Sequence, residues 1–202
     1  MKDTIIFDLG GVLIDWNPRY VYRTIFRTED AVDHFLARVC TNKWNEKQDE
    51  GRFFDEATEW LLGHYPEYET EIRSYYGRWT EMLGDAIMDT VGVLEKLRNS
   101  GNYRLYALTN WSDESFPVAL QRFDFLSWFD DILVSGREKL IKPDPAIYEL
   151  LVSRNRINKP GAIFIDDNPA NVEGARNTGI DAIHFTSPVH LPAQLAEFGI
   201  LV

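Results

Sequence analysis

Five short apolar runs punctuate the chain, and each stops at a polar, loop-like cluster: TIIF before DLGG, YRLYAL before TNWSD, DILV before SGREKLIKP, AIFI before DDNPAN, and DAIHF before TSP. Short apolar runs of this kind, bounded by turn formers, are the pattern of strands buried in a parallel sheet. Between them the spacing predicts helices over Asp85 to Arg98, closing at Gly101, over Pro145 to Arg154, and over Val172 to Asn177, closing at Gly179. A glycine just past the last turn is a common helix stop. Strand and helix in alternation predict an α/β fold with a doubly wound parallel sheet.

The interval from Trp16 to about Leu83 breaks the alternation. It shows no strand pattern and reads as helix after helix: Ala31, Val32, Phe35, Leu36 and Val39 share one helical face, as do Phe54, Ala57, Trp60 and Leu61. The expected organisation is a core of residues 1–15 and 84–202, with residues 16–83 as a small helical cap inserted after the first strand and joined to it near Asp15 and Gly84. In an open parallel sheet, ligands bind beyond the carboxyl ends of the strands, so chemistry is expected in the loops named above.

With 45% hydrophobic and 13% aromatic residues over 202 positions, the chain can bury a full core and a small attached unit. There is no apolar stretch long enough to span a bilayer, and the N-terminus lacks the pattern of a secretory signal. A single cysteine, Cys40, allows no intrachain disulfide; the expectation is a cytoplasmic protein. The formal net charge of −11 opposes binding to nucleic acid or to an anionic membrane. A small anion can still bind if a metal and local cations reverse the field.

Asp8 ends the first strand ahead of Gly10 and Gly11, which let the backbone turn sharply. Asp166 and Asp167 end the AIFI strand and would stand beside Asp8 if those strands are neighbours. Clustered carboxylates repel unless a cation neutralises them, and an oxygen-only donor set favours Mg2+. As a bland alternative, Asp167, Asn168 and Asn171 start the next helix. Thr109 and Asn110 offer a hydroxyl and an amide to phosphate oxygens, or form an ordinary turn. Lys142, held extended by Pro143, either balances this acidic site or lies solvated on the surface.

The order DLGGVLID, LTN, IKPDPAIY, FIDDNPANVEGARNTGI resembles the four signature motifs of the haloacid dehalogenase-like superfamily, spread over almost the whole chain. It is most similar to the phosphatase branch with bacterial α-glucose-1-phosphate phosphatases and the N-terminal phosphatase domain of soluble epoxide hydrolase. The resemblance implies a Rossmann-like core with a cap, and a Mg2+-dependent hydrolase of a small phosphorylated metabolite such as a sugar phosphate. It implies that Asp8 attacks phosphorus to form an aspartyl-phosphate while Thr109, Asn110 and Lys142 hold the phosphate. The metal would be held by Asp8, the Gly10 carbonyl and Asp167, with Asp166 in support.

One departure from the family pattern is Gly10, where most of these phosphatases carry a second Asp as general acid and base. Asp15 is a candidate substitute. The missing acid disfavours a phosphomutase, and the pair Asp166 and Asp167 argues against a 2-haloacid dehalogenase. From a different class, the chain could be a phosphate-binding regulatory protein with little turnover. No GxGxxG or GxxxxGK loop is present, and His34, His64, His184 and His190 lack metal or triad spacing. In the cap, Trp44, Asn45, Asp49 and Arg52 form a polar and aromatic cluster that either faces the pocket or packs between helices.

Overall fold

A computed structural model describes residues 2–202. Five parallel strands, β1 (Thr4–Phe7), β4 (Arg104–Thr109), β5 (Asp131–Val134), β6 (Ala162–Asp166) and β7 (Asp181–His184), make one sheet in the order β5-β4-β1-β6-β7. The chain runs outward from β1 to β5, then crosses back to β6. The point where strand order reverses therefore falls between β1 and β6, and the pairing of Phe7 with Ile165 brings Asp8 level with Asp166 just beyond it.

The sheet is buried on both faces. Along β1, Ile5 and Phe7 point into one core and Ile6 into the other, as the two-residue period of a strand requires. The first core takes Val91, Leu94 and Leu97 of helix α7 (Met88–Ser100) and Leu191 and Leu195 of α12 (Leu191–Glu197). The second takes Ile147 and Leu151 of α10 (Pro145–Asn155) and Val172 and Ala175 of α11 (Pro169–Asn177). Both α10 and α11 begin with proline at the first turn, and their N-cap side chains, Asp144 and Asn168, accept from Ala146 and Ala170 amides. Two short helices, α8 (Phe116–Arg122) and α9 (Ser135–Glu138), complete this half.

The helical interval contains α1 (Arg19–Ile25), α2 (Glu29–Arg38), α3 (Asn42–Asp49), α4 (Phe54–His64), α5 (Glu69–Gly77) and α6 (Trp79–Met82). They close around aromatic side chains, with Tyr22 and Phe35 ring centroids 4.7 Å apart and Trp44 edge-on to Tyr75 at 5.0 Å. Such pairs add about 0.5–1.5 kcal/mol beyond their buried area. Thr28 and Thr41 cap α2 and α3.

Three features differ from the sequence reading. Ile14–Trp16 (β2) and Leu83–Ala86 (β3) form an antiparallel ribbon, pairing Ile14 with Ala86 and Trp16 with Leu83, so the boundaries drawn at 15/16 and 83/84 lie inside paired strands. Neither segment carries a strand pattern of its own; each depends on a partner distant in sequence. A Cβ on Gly84 would displace the Asp15 side chain that lies against it. Because residues 83–86 are taken up by this ribbon, α7 begins at Met88 rather than Asp85. Trp60, placed on the apolar face of α4, is 50% exposed and lies against His64, while Ala57 and Leu61 carry the burial.

Candidate active site

Asp8, Asp166 and Asp167 meet at the carboxyl edge of β1 and β6, each offering a carboxylate oxygen within 4.8 Å of the others. Asp8 is pinned by its backbone N–H donating to Ile165 O at 2.8 Å, and its Oδ1 accepts from Leu9 N at 2.8 Å. Asp166 is fully buried. Its Oδ1 accepts from Asn168 N at 2.8 Å, and both oxygens accept from Asn171 Nδ2 at 3.1 Å. Asp167, at the exposed rim, lies over the Gly11 backbone so closely that a Cβ on Gly11 would overlap its carboxylate. Gly11 also has φ +71°, so glycine is demanded twice at this position.

Lys142 is buried, not a solvated surface lysine. Its Nζ lies 2.9 Å from Asp8 Oδ1 and 2.7 Å from Asp166 Oδ2, and donates to Leu108 O at 2.8 Å. The peptide bond to Pro143 is cis. Burial works against the ammonium, but Asp166 and Asp8 outweigh it and hold its pKa above the usual lysine value. One ammonium thus faces three carboxylates. Burial, opposed by Lys142 and reinforced by Asp166 and Asp167, pushes Asp8 up to about 7. Partial desolvation and the Asp166 charge raise Asp167. The cluster is short of positive charge, the condition that a divalent cation relieves.

Thr109, 1% exposed, ends β4 beside this cluster. Asn110 follows it, and its amide clamps the lysine: Nδ2 donates to Lys142 O at 3.0 Å while Oδ1 accepts from Lys142 N at 2.9 Å. The side chain read as a phosphate ligand is thus also the fastener that sets the lysine backbone. Asp15 lies in β2, accepts from the Tyr20 hydroxyl, and is outside the carboxylate cluster.

A cavity of about 120 Å³ opens at Gly10, with Asn110 and Trp111 on the core side and Asn45, Asp49 and Tyr76 on the insertion side. Of the polar and aromatic cluster singled out in the insertion, Asn45 and Asp49 face this cavity. Trp44 is buried, its indole N–H donating to Ala57 O at 3.3 Å, and Arg52 turns to Gln48 Oε1 and Trp44 O. Core and insertion are fastened here by the Ser135 hydroxyl, which donates to Asp49 O and accepts from Trp111 N at 2.9 Å, and by Phe54 N donating to Glu114 Oε2 at 2.7 Å. Ser135 carried no signal in the sequence, because its partner Asp49 lies in the distant insertion.

The chain matches the profile described as haloacid dehalogenase-like hydrolase over residues 5–185. It is 28% identical over 194 residues to the sesquiterpene phosphatase astK of Aspergillus oryzae, covering 95% of this chain and 94% of that one. It is 26% identical to the (S)-2-haloacid dehalogenase 4A of Burkholderia cepacia, over 88% and 80% of the two chains. Against the drimenol cyclase drtB of Aspergillus calidoustus it is 26% identical over 98% of its own length but spans only 36% of that protein. Among solved structures, it shares its fold with a haloacid dehalogenase family enzyme, bt-2542, of Bacteroides thetaiotaomicron. A complex of that protein with magnesium and inorganic phosphate superposes with a TM-score of 0.68 at 20% identity, covering 92% of this chain and 95% of that one.

Proposed function

The chain belongs to the haloacid dehalogenase-like hydrolases, and on that premise we propose that it is a magnesium-dependent phosphatase of a small phosphorylated metabolite, with Asp8 as covalent nucleophile. The observation that carries this reading is three carboxylates gathered around a single buried lysine at the mouth of the sheet.

The residues suit Mg2+: the donors are oxygens only, without His or Cys, and three carboxylates share one lysine. Asp8, Asp167 and the Gly10 carbonyl would hold the ion, with Asp166 behind them. When bound, it neutralises charge on the phosphoryl oxygens. A carboxylate oxygen of Asp8 attacks phosphorus, the bond to the leaving oxygen breaks, and an aspartyl-phosphate forms. Lys142 and the Thr109 hydroxyl hold phosphoryl oxygens during the transfer. Water then attacks the phosphorus and frees the Asp8 carboxylate. A metal-free dehalogenase would leave Asp8, Asp166 and Asp167 sharing the one ammonium of Lys142, which favours the phosphatase.

The aromatic walls of the cavity suit the apolar face of a sugar or another compact carbon skeleton. With its lone cysteine buried, the protein is suited to the cytoplasm. Acid-quenched protein incubated with an aryl phosphate and Mg2+ should carry phosphate on Asp8, and Asp8→Asn should carry none and turn over no substrate. Near-parental turnover by Asp8→Asn would refute the covalent route.

A further inference from the structure

A carboxylic acid two residues after the nucleophile would protonate the leaving oxygen, but here that position is Gly10. A Cβ built on Gly10 meets no atom within 4 Å, so the place beside the nucleophile where an acid would stand is open space. Across the cavity that begins there lies Asp49, at the end of α3. We propose that Asp49, contributed by the helical insertion, is the general acid and base of this hydrolase, doing from across the cavity what Gly10 cannot.

Three observations support the assignment, which rests on the phosphatase reading. First, the carboxyl is oriented by a chain of hydrogen bonds: Gln48 donates to the Tyr76 hydroxyl, which donates to Asn45 Oδ1 at 3.1 Å, and Asn45 Nδ2 donates to Asp49 Oδ2 at 3.2 Å. Second, the Ser135 hydroxyl ties the Asp49 carbonyl to the core, so that its backbone is fixed relative to the strand ends. Third, burial, with Glu46 adding to it and the Ser112 N–H opposing it, pushes the carboxyl up to about 7, where it exchanges protons near neutrality. No cation pairs with the Asp49 carboxylate among the described residues, unlike Asp8 and Asp166.

The step balances. As Asp8 forms its bond to phosphorus and the bond from phosphorus to the leaving oxygen breaks, the proton of the Asp49 carboxyl passes to that oxygen and the alcohol departs. In the second half, water attacks the aspartyl-phosphate, its proton passes to the Asp49 carboxylate, and the bond from phosphorus to Asp8 breaks. Asp49 ends protonated, as it began.

Asp49→Asn keeps the shape and the Asn45 contact but removes the proton. With a simple alkyl phosphate, whose leaving alcohol needs protonation, kcat should fall by about 10²–10⁴. With an aryl phosphate, whose leaving oxygen is already acidic, the loss in phosphoenzyme formation should be far smaller, read by rapid mixing as the first-turnover burst of phenol. Because Gly10 has room for a side chain, the double variant Asp49→Asn with Gly10→Asp should regain alkyl phosphate turnover. An equal loss of the first turnover on both leaving groups, or no loss on either, would overturn the assignment while leaving the phosphatase intact. A parent protein that releases no phosphate from either ester with Mg2+ would overturn the phosphatase reading itself, and this assignment with it.

Discussion

Among the described residues, Lys142 is the single lysine or arginine paired with the carboxylates at the strand ends, and replacing it with methionine isolates what its charge contributes. Methionine retains most of the stem, so packing against Phe164, whose ring lies 5.3 Å from Nζ, is largely kept. The lost interactions are the two ion pairs at 2.9 and 2.7 Å and the bond to Leu108 O, all with the side chain fully buried. Breaking a buried pair by removing one partner costs about 3–5 kcal/mol, a large share of the ~5–15 kcal/mol that holds a typical protein folded. The cost should depend on pH. Asp8 is raised from 3.8 to about 7 even with the lysine lowering it, and removing the lysine raises it further. A folded pKa above the unfolded one gives stability that is full below about pH 4 and is lost as pH rises through the folded value. The variant should therefore fall well behind the parent at about pH 8 and much less at about pH 5, where a carboxyl takes up a proton. Urea unfolding with a chelator present, followed by tryptophan fluorescence, measures both gaps. A deficit below ~1 kcal/mol at about pH 8, the size of an exposed ion pair, or an equal deficit at both pH values, would refute the reasoning.

Chelation should abolish turnover and Mg2+ restore it, and Asp167→Ala should need at least ~10-fold more Mg2+ in an activity titration; turnover indifferent to chelator would contradict the metal assignment. Asp49→Asn should also change stability with pH. The Asp49 carboxyl, raised from 3.8 to about 7, stabilises the parent fully below about pH 4 and loses that contribution as pH climbs through about 7. The variant should match the parent in acid and exceed it above neutrality, by at most about 4 kcal/mol at 1.36 kcal/mol per unit and by ~1–2 once cavity solvent is allowed for; a gap that does not change with pH would count against a raised carboxyl. Gly11→Ala should cost about 1–2 kcal/mol of thermal stability from its positive φ alone, and weaken Mg2+ binding by displacing Asp167; unchanged metal affinity by calorimetry would show that Asp167 is not held over that turn.

The residues of the carboxylate cluster were legible because each sits where a local pattern ends. Asp8, Thr109 and Asp166 finish apolar runs, and one parallel sheet puts all such ends on one edge. Lys142 was ambiguous in sequence, since a lysine before proline looks the same buried or exposed; Asn110 and two buried carboxylates decide it. The β2–β3 ribbon was illegible because IDW and LGDA alternate too little, and each pairs with a segment on the far side of the insertion. Asp49 could be named only within a group of four. What separates it from Arg52 is the fastening of the Asp49 carbonyl to Ser135, itself held by Trp111 N, a contact between residues 86 apart that leaves no mark on local spacing.

The ribbon also bears on how such a chain can change over generations. Both crossings between sheet and helices run side by side through Ile14–Ala86 and Trp16–Leu83. The chain therefore enters and leaves the insertion at one narrow neck, and whatever is strung between those paired residues imposes the same closure on β1. Replacing or enlarging the helices redraws the wall of the cavity without pulling on Asp8. If the proton donor is carried on that wall, as proposed for Asp49, the catalytic acid is inherited with the specificity surface and not with the nucleophile. Exchanging the segment between Trp16 and Leu83 with that of a relative should then transfer leaving-group preference and substrate choice together.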